Sequence, residues 1–325
     1  MTSAAFDVLG IGNAIVDVIT RADDAFLSRH GLVKGSMMLI DEERAEKLYA
    51  AMGPGVEVSG GSCGNTMAGI ASFGGKGAYV GKVRNDQLGA VFGHDLKSIG
   101  VSFETASATA GPATARCLIL VTPDAQRTMN TYLGACTGLS PDDIDIEQVG
   151  SAQVTYVEGY LWDAPAAKQA VLKAFDAAHA QGRLVSITLS DAFCVHRYRA
   201  EFLDLVRNKV DILFANESEI KSLYEVETFE QAMAATRQEA KIAVLTRSEK
   251  GSVVLTGDET WTVPVAPVAK VVDTTGAGDL YAAGFLFGFT RGKPLAECAR
   301  LGGLAAAEII SHVGARPEQA LSGLV

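Results

Sequence analysis

Short β-branched runs alternate along this chain with longer stretches of helical spacing, and that alternation narrows the possible folds more than any other feature. Apolar residues 6–11 end in Gly12-Asn13, a strand running into a loop. Residues 41–52 (DEERAEKLYAAM) open on acidic residues and carry helical spacing. Residues 56–58 lead into Gly60-Gly61 and a helical stretch at 65–73, followed by a strand at 77–83 and a helix at 86–99. Buried-strand runs at 154–157, 184–188, 210–214 and 242–246 are separated by helical patterns at 165–180, 217–224 and 229–239. Pro165 suits a first helical position, where its missing N–H costs nothing. Two long helical patterns follow at 276–290 and 295–312. The order predicts an α/β fold, a doubly wound and mostly parallel sheet with helices on both faces, whose ligands gather at the carboxyl ends of strands.

Residues 15–39 and 115–133 break the alternation. They hold short alternating runs (Val16-Asp17-Val18, 117–121 and 128–132) that predict a small second sheet acting as a lid. A pair of edge hairpins without a role is the plainer alternative. On the lid reading, 1–325 is a single unit, with the lid formed by approximately 13–55 and 108–136 and the large core by the remainder.

Charge and cysteine usage exclude several classes. With 38 acidic and 28 basic residues the net charge is −10, which disfavours nucleic acid or an anionic membrane as a partner. A hydrophobic content of 48% against 20% charged residues supplies a sizeable core. The five cysteines are scattered without a CxxC pair, so neither a zinc knuckle nor a disulfide framework is indicated, and a reducing compartment is expected. Residues 1–7 lack the features of a signal peptide, and the apolar run 281–289 falls well short of the ~18 residues of a membrane span. The expected location is cytoplasmic.

Residues 271–285 (VVDTTGAGDLYAAGF) carry the strongest chemistry. A strand end meets small residues that open a helix, leaving backbone N–H groups uncovered at the positive end of the helix dipole. Asp279 falls in the first helical turn, where a carboxylate repels a bound phosphate but is well placed to take a proton from a hydroxyl attacking it. The plainer role, complementing the helix dipole, is worth ~0.3–1 kcal/mol.

The string DTTGAGDxxxxGF resembles the C-terminal signature of the PfkB (ribokinase-like) family of carbohydrate and nucleoside kinases, and other landmarks follow in that family's order over nearly the whole chain. The resemblance implies a ribokinase-like fold with a small β-sheet lid and ATP as phosphoryl donor. It makes Asp279 the catalytic base and the backbone of Gly276, Ala277 and Gly278 the anion hole. Gly60-Gly61-Ser62-Cys63-Gly64-Asn65 resembles the N-terminal signature, in which the glycine pair hinges the lid; Gly60, Gly61, Ser62 and Asn65 then line the acceptor site. Met67 departs from that pattern, which has a small residue there. In Gly10-Ile11-Gly12-Asn13-Ala14-Ile15-Val16-Asp17, Asn13 and Asp17 would hold the acceptor's hydroxyls, and a carboxylate accepting two neighbouring O–H groups reads a diol well. Gly81–Gly89 adds a further family-like glycine-and-Asp pattern, read as structural.

Nucleotide contacts are implied for Asn216, Thr246, Gly251, Gly278 and His312. Asn216 and Glu219 match the NxxE motif that organises Mg²⁺ through water, although an N-cap Asn with a helix-start Glu explains the same residues. Ser248 replaces the first glycine of the usual TxGxxG. Arg127, in Asp124-Ala125-Gln126-Arg127-Thr128, resembles an arginine that the family's nucleoside kinases direct at the transferred phosphate. Asp273 and Thr275 correspond to residues that hold a monovalent cation such as K⁺ in relatives.

GNAIVDV, GGSCGN and DAQRTMNTYLGAC lean towards adenosine-kinase-like members, with Met37-Met38-Leu39 and Tyr160-Leu161-Trp162 offering apolar or aromatic surface to a base. A sugar acceptor of the ribose or fructose type stays open. So do a serine hydrolase, since Gly60-Gly61-Ser62-Cys63-Gly64 also fits GxSxG, and a non-catalytic ligand-binding protein on the same scaffold. A monomer or a homodimer is compatible with the chain.

Overall fold

Strand alternation builds two sheets in the computed structural model, which describes residues 4–124 and 126–325. In chain order the first strands are β1 (Phe6–Ile11), β2 (Ile15–Arg21), β3 (Met37–Leu39), β4 (Val56–Ser59), β5 (Gly77–Val80), β6 (Ser102–Phe103), β7 (Ala115–Val121) and β8 (Arg127–Tyr132). Then come β9 (Ala152–Glu158), β10 (Leu184–Thr188), β11 (Ile212–Asn216), β12 (Ile242–Thr246), β13 (Ser252–Thr256) and β14 (Glu259–Val263). The helices are α1 (Asp24–Arg29), α2 (Glu42–Ala51), α3 (Ser62–Ser72), α4 (Gln87–Ser98), α5 (Ile146–Gly150) and α6 (Pro165–Ala180). They continue with α7 (Ala192–Asn208), α8 (Glu217–Tyr224), α9 (Phe229–Glu239), α10 (Ala277–Thr290) and α11 (Leu295–Ile309).

The larger sheet has the order β14-β13-β12-β11-β10-β9-β1-β5-β6, parallel throughout except for β13 and β14. From β1 the chain first builds outwards to β5 and β6, then returns to β9 on the other side and continues to β12. The order therefore reverses between β1 and β9, the position where open α/β sheets leave a crevice beyond their carboxyl ends. Successive residues feed opposite layers: Ile212, Phe214 and Val244 join one core, while Leu213, Ala215, Ala243 and Leu245 join the other.

The second sheet has the order β3-β8-β7-β2-β4. Val16, Val18, Leu118 and Leu120 pack in the same core as Leu27 and Leu48 of α1 and α2. The alternate residues form cross-strand rows on the other face. One row joins Val58, Asp17, Cys117, Thr131 and Leu39; the next joins Val56, Ile19, Ile119, Met129 and Met37. β4 belongs to this sheet, so its boundary runs to Ser59 rather than to residue 55.

Other elements depart from expectation for local reasons. α3 begins at Ser62, three residues earlier than its apolar spacing suggests, because Gly61 supplies the turn that starts it. α7 escapes pattern reading because Tyr198 has non-helical dihedrals (φ −120°, ψ 23°), which break the phase of its apolar stripe. β13 and β14 form a hairpin around Gly257-Asp258, a two-residue loop suited to that turn. Among the described residues no helix is long and apolar enough to cross a membrane.

Candidate active site

Asp279 lies half-buried in the first turn of α10. Ser62 Oγ donates to its Oδ1 at 2.7 Å and Asn65 Nδ2 to its Oδ2 at 3.0 Å, so two residues of α3 fix its carboxylate plane. Burial pushes Asp279 up to about 6, against the lowering by these two donors and by the Arg316 guanidinium. The Asn65 amide oxygen is buried with no hydrogen-bond partner among the described residues.

The turn before α10 is held by Gly276, whose φ of +78° would strain any other residue, and a Cβ there would meet that of Ala315 at 2.9 Å. No side chain caps the helix. Ala277 N–H donates back to Thr274 C=O at 3.2 Å, which removes it from the expected anion hole. Among the described residues the N–H groups of Gly276, Gly278 and Asp279 have no partner in the chain, and the space beside Gly278 is open. These three amides, rather than those of 276–278, are the uncovered donors.

Asn13 and Glu158 meet across the strand-order reversal. Asn13 N and Nδ2 donate to Glu158 Oε1 at 2.9 and 2.7 Å, and Cys63 N donates to Oε2 at 2.8 Å. Glu158 thereby joins the ends of β1 and β9 to the start of α3; burial pushes it up to about 7 despite those donors. Sequence reading missed it, since nothing local marks an acid at the end of a buried strand. The backbone of Gly60 packs directly on the Asp17 carboxylate. Asp17 is raised to about 6 by burial, opposed by Arg316 and then Arg127, and Asp279 adds to the rise.

Arg127 reaches from the start of β8 to Asp273 just before the α10 turn, Nε to Oδ2 at 3.1 Å, with both side chains about nine-tenths buried. Its Nη2 is buried with no hydrogen-bond partner among the described residues. Asp273 also accepts from Thr275 N (3.0 Å), Thr275 Oγ1 (2.7 Å) and Gly314 N (3.0 Å). Four donors thus meet the carboxylate where a monovalent cation is expected, and the Thr275 hydroxyl oxygen keeps its lone pairs. Ala125, in the segment before Arg127, and residues 1–3 lie outside the described residues.

At the end of β11, Asn216 and Glu219 close a capping box: Asn216 Oδ1 accepts from Glu219 N, and the Glu219 oxygens accept from Asn216 N at 2.9 Å and Nδ2 at 2.5 Å. Thr246 ends β12, beside Asn216 on β11, and Gly251 sits in the turn into β13. His312 is held by Glu308 at 3.2 Å, its side chain largely buried in the turn after α11. Leu161 and Trp162 are core residues, Trp162 donating to Glu201, and do not line the site. Phe193, in the first turn of α7, is 80% exposed.

A profile of the family described as pfkB family carbohydrate kinase matches residues 33–320. The chain belongs to that family. It is accordingly a phosphotransferase with an alcohol group as acceptor. Among solved structures, adenosine kinase from Sinorhizobium meliloti is 55% identical with a TM-score of 0.92, covering 99% of this chain and 98% of that one. A probable sugar kinase protein from Rhizobium etli CFN 42 is 53% identical, also with a TM-score of 0.92 and the same coverage. Adenosine kinase of Saccharomyces cerevisiae is 27% identical over 94% of both chains.

Membership of the pfkB family accounts for Ser62 without a hydrolase. Its hydroxyl donates to a carboxylate on α10, and among the described residues no imidazole is bonded to it as an acyl-transfer nucleophile requires. The family signatures likewise omit Arg316, whose fork of donors reaches Ser59 and Gly64 from the turn after α11.

Proposed function

We propose that this pfkB-family enzyme transfers the γ-phosphoryl group of ATP to the primary hydroxyl of a nucleoside of the adenosine type. The observation that carries the reading is the Asp279 carboxylate, oriented by Ser62 and Asn65 beside three uncapped amides. Those amides suit a phosphoryl group whose charge grows during transfer, and the carboxylate suits the proton of the attacking hydroxyl.

In this mechanism Asp17, Asn13 and Asn65 hold the acceptor's hydroxyls, and the second sheet closes as a lid through Gly60-Gly61 and excludes water. Asp279 takes the proton as the hydroxyl oxygen bonds to the γ-phosphorus and the bond to the β-phosphate oxygen breaks, leaving ADP. The unpartnered Nη2 of Arg127 supports a phosphate contact there. A Mg²⁺ ion accompanying ATP supplies charge neutralisation. Among the described residues no three His, Cys, Asp or Glu side chains cluster to hold a metal, so its ligands would be phosphates and water, with Glu219 an outer carboxylate behind Asn216.

The rows of Cys117, Ile119, Met129, Met37 and Leu39 beside Asp17 favour a nucleoside, since they set an apolar surface for a flat base next to a diol reader. A sugar acceptor remains the second reading because a relative 53% identical carries that description. The test is kcat/KM with Mg-ATP for adenosine, other nucleosides, ribose and fructose. Adenosine is expected to lead; a free sugar leading by tenfold would replace the nucleoside reading. Asp279→Asn is expected to fold and bind acceptor while losing at least ~10²-fold in kcat, and near-native turnover would remove Asp279 from the mechanism.

A further inference from the structure

Arg316 comes from the turn after α11 and makes no contact ion pair among the described residues. Its Nε donates to Ser59 C=O at 3.0 Å and Nη1 to Gly64 C=O at 2.7 Å, while Nη2 donates to Ser59 Oγ at 3.0 Å and also to Ser59 C=O. Ser59 ends β4 and immediately precedes Gly60-Gly61, whereas Gly64 lies in the first turn of α3 beside Ser62 and Asn65. One planar cation thus joins the edge of the second sheet to the helix that aims Asp279.

Because its hydrogen bonds go to neutral oxygens, the charge of Arg316 acts through space. Facing it are Asp17 from β2, Asp95 from α4, Asp279 from α10 and the Tyr79 hydroxyl from β5. Asp95 in turn accepts from Ser59 N at 2.8 Å, which completes the anchoring of that residue. We propose that Arg316 is a positioning residue for phosphoryl transfer, pinning the Ser59–Gly61 hinge to α3, the helix whose Ser62 and Asn65 aim Asp279, with its charge turned towards the Asp17–Asp279 cleft. The proposal rests on the kinase reading above.

Two carboxylates in one cleft disfavour each other's ionisation. Burial raises both to about 6, and Arg316 is a lowering influence on each. Around them Glu158 on β9, Cys63 on α3 and Glu219 on α8 add only acidic groups, and Arg127 is the other cation near Asp17. Without Arg316 both acids hold their protons to higher pH, so the base form of Asp279 is reached only at higher pH. Lysine keeps the charge but is a point donor that cannot reproduce a fork spanning two carbonyls.

The experiment compares full-length wild type, Arg316→Lys and Arg316→Gln, with kcat and acceptor KM for adenosine and ATP measured from pH 5 to 9 and folding checked by circular dichroism. Arg316→Gln is expected to move the acid limb of kcat up by about one pH unit and to raise acceptor KM about tenfold. Arg316→Lys is expected to keep the wild-type limb while still raising KM. A folded Arg316→Gln with both the wild-type limb and the wild-type KM overturns the proposal, and a loss of thermal stability alone marks a merely structural role. Should Arg316→Gln fail to fold, Arg316→Lys decides: an unchanged KM or a displaced limb overturns it. Wild type that consumes no ATP with any acceptor would instead sink the kinase reading.

Discussion

At the scale of single residues, the site runs on carboxylates kept half out of water. Burial places Asp279 at about 6, and its proton-accepting form dominates only above that pH. The sign is definite: kcat is expected to fall about tenfold per unit below pH 6 and to level off above it, which a pH–rate profile with saturating ATP and adenosine will show. Gly61 is a second sensitive point. Its φ of +80° and ψ of 144° are accessible almost only to glycine, and a Cβ would run into the Asn13 carbonyl oxygen. Gly61→Ala is therefore expected to cost at least ~1–3 kcal/mol, read as a lowered Tm, and to raise acceptor KM because Asn13 must shift. Asp279 was legible in the sequence because its signal is local: a strand end, a glycine turn and an acid within a few residues. Glu158 and Arg316 were not, because their partners lie 145 and 257 residues away and no neighbouring pattern marks them.

Elements whose apolar period is unbroken were equally legible. α6, α8 and α9 begin and end where spacing and caps indicate, whereas the kink at Tyr198 hid α7 from any single-period reading. The same scale governs how the second sheet is tied down. Arg127 at the start of β8 meets Asp273 before α10, linking the second sheet to the turn that opens α10. Arg127→Met is expected to lower kcat at least ~10-fold through loss of a charge aimed at the transferred group. Its stability cost should stay below the ~3–5 kcal/mol of an abandoned buried charge, because Asp273 retains Thr275 and Gly314 as donors. Steady-state kinetics together with a thermal melt separates the two effects.

Across the whole molecule, the two sheets hydrogen-bond their strands separately but share one hydrophobic core. Alternation foretold both sheets, yet it could not say that β4 belongs to the smaller one, because three β-branched or acidic residues carry no label of their partner. An acceptor bridging the two sheets binds only the folded arrangement. Adenosine at a hundred times its Kd is expected to stabilise the protein by about 2.7 kcal/mol, visible as a shift in Tm of several degrees. Asp17→Asn should abolish most of that shift while leaving the unliganded Tm near wild type; a full shift in the variant would release Asp17 from acceptor binding.

Asn13, Ser62, Glu158, Asp279 and Arg316 are drawn together from widely separated stretches of the polypeptide. A fragment ending before residue 316 lacks the donors that hold Ser59 and Gly64 together, so this cleft is finished only by residues that follow α11.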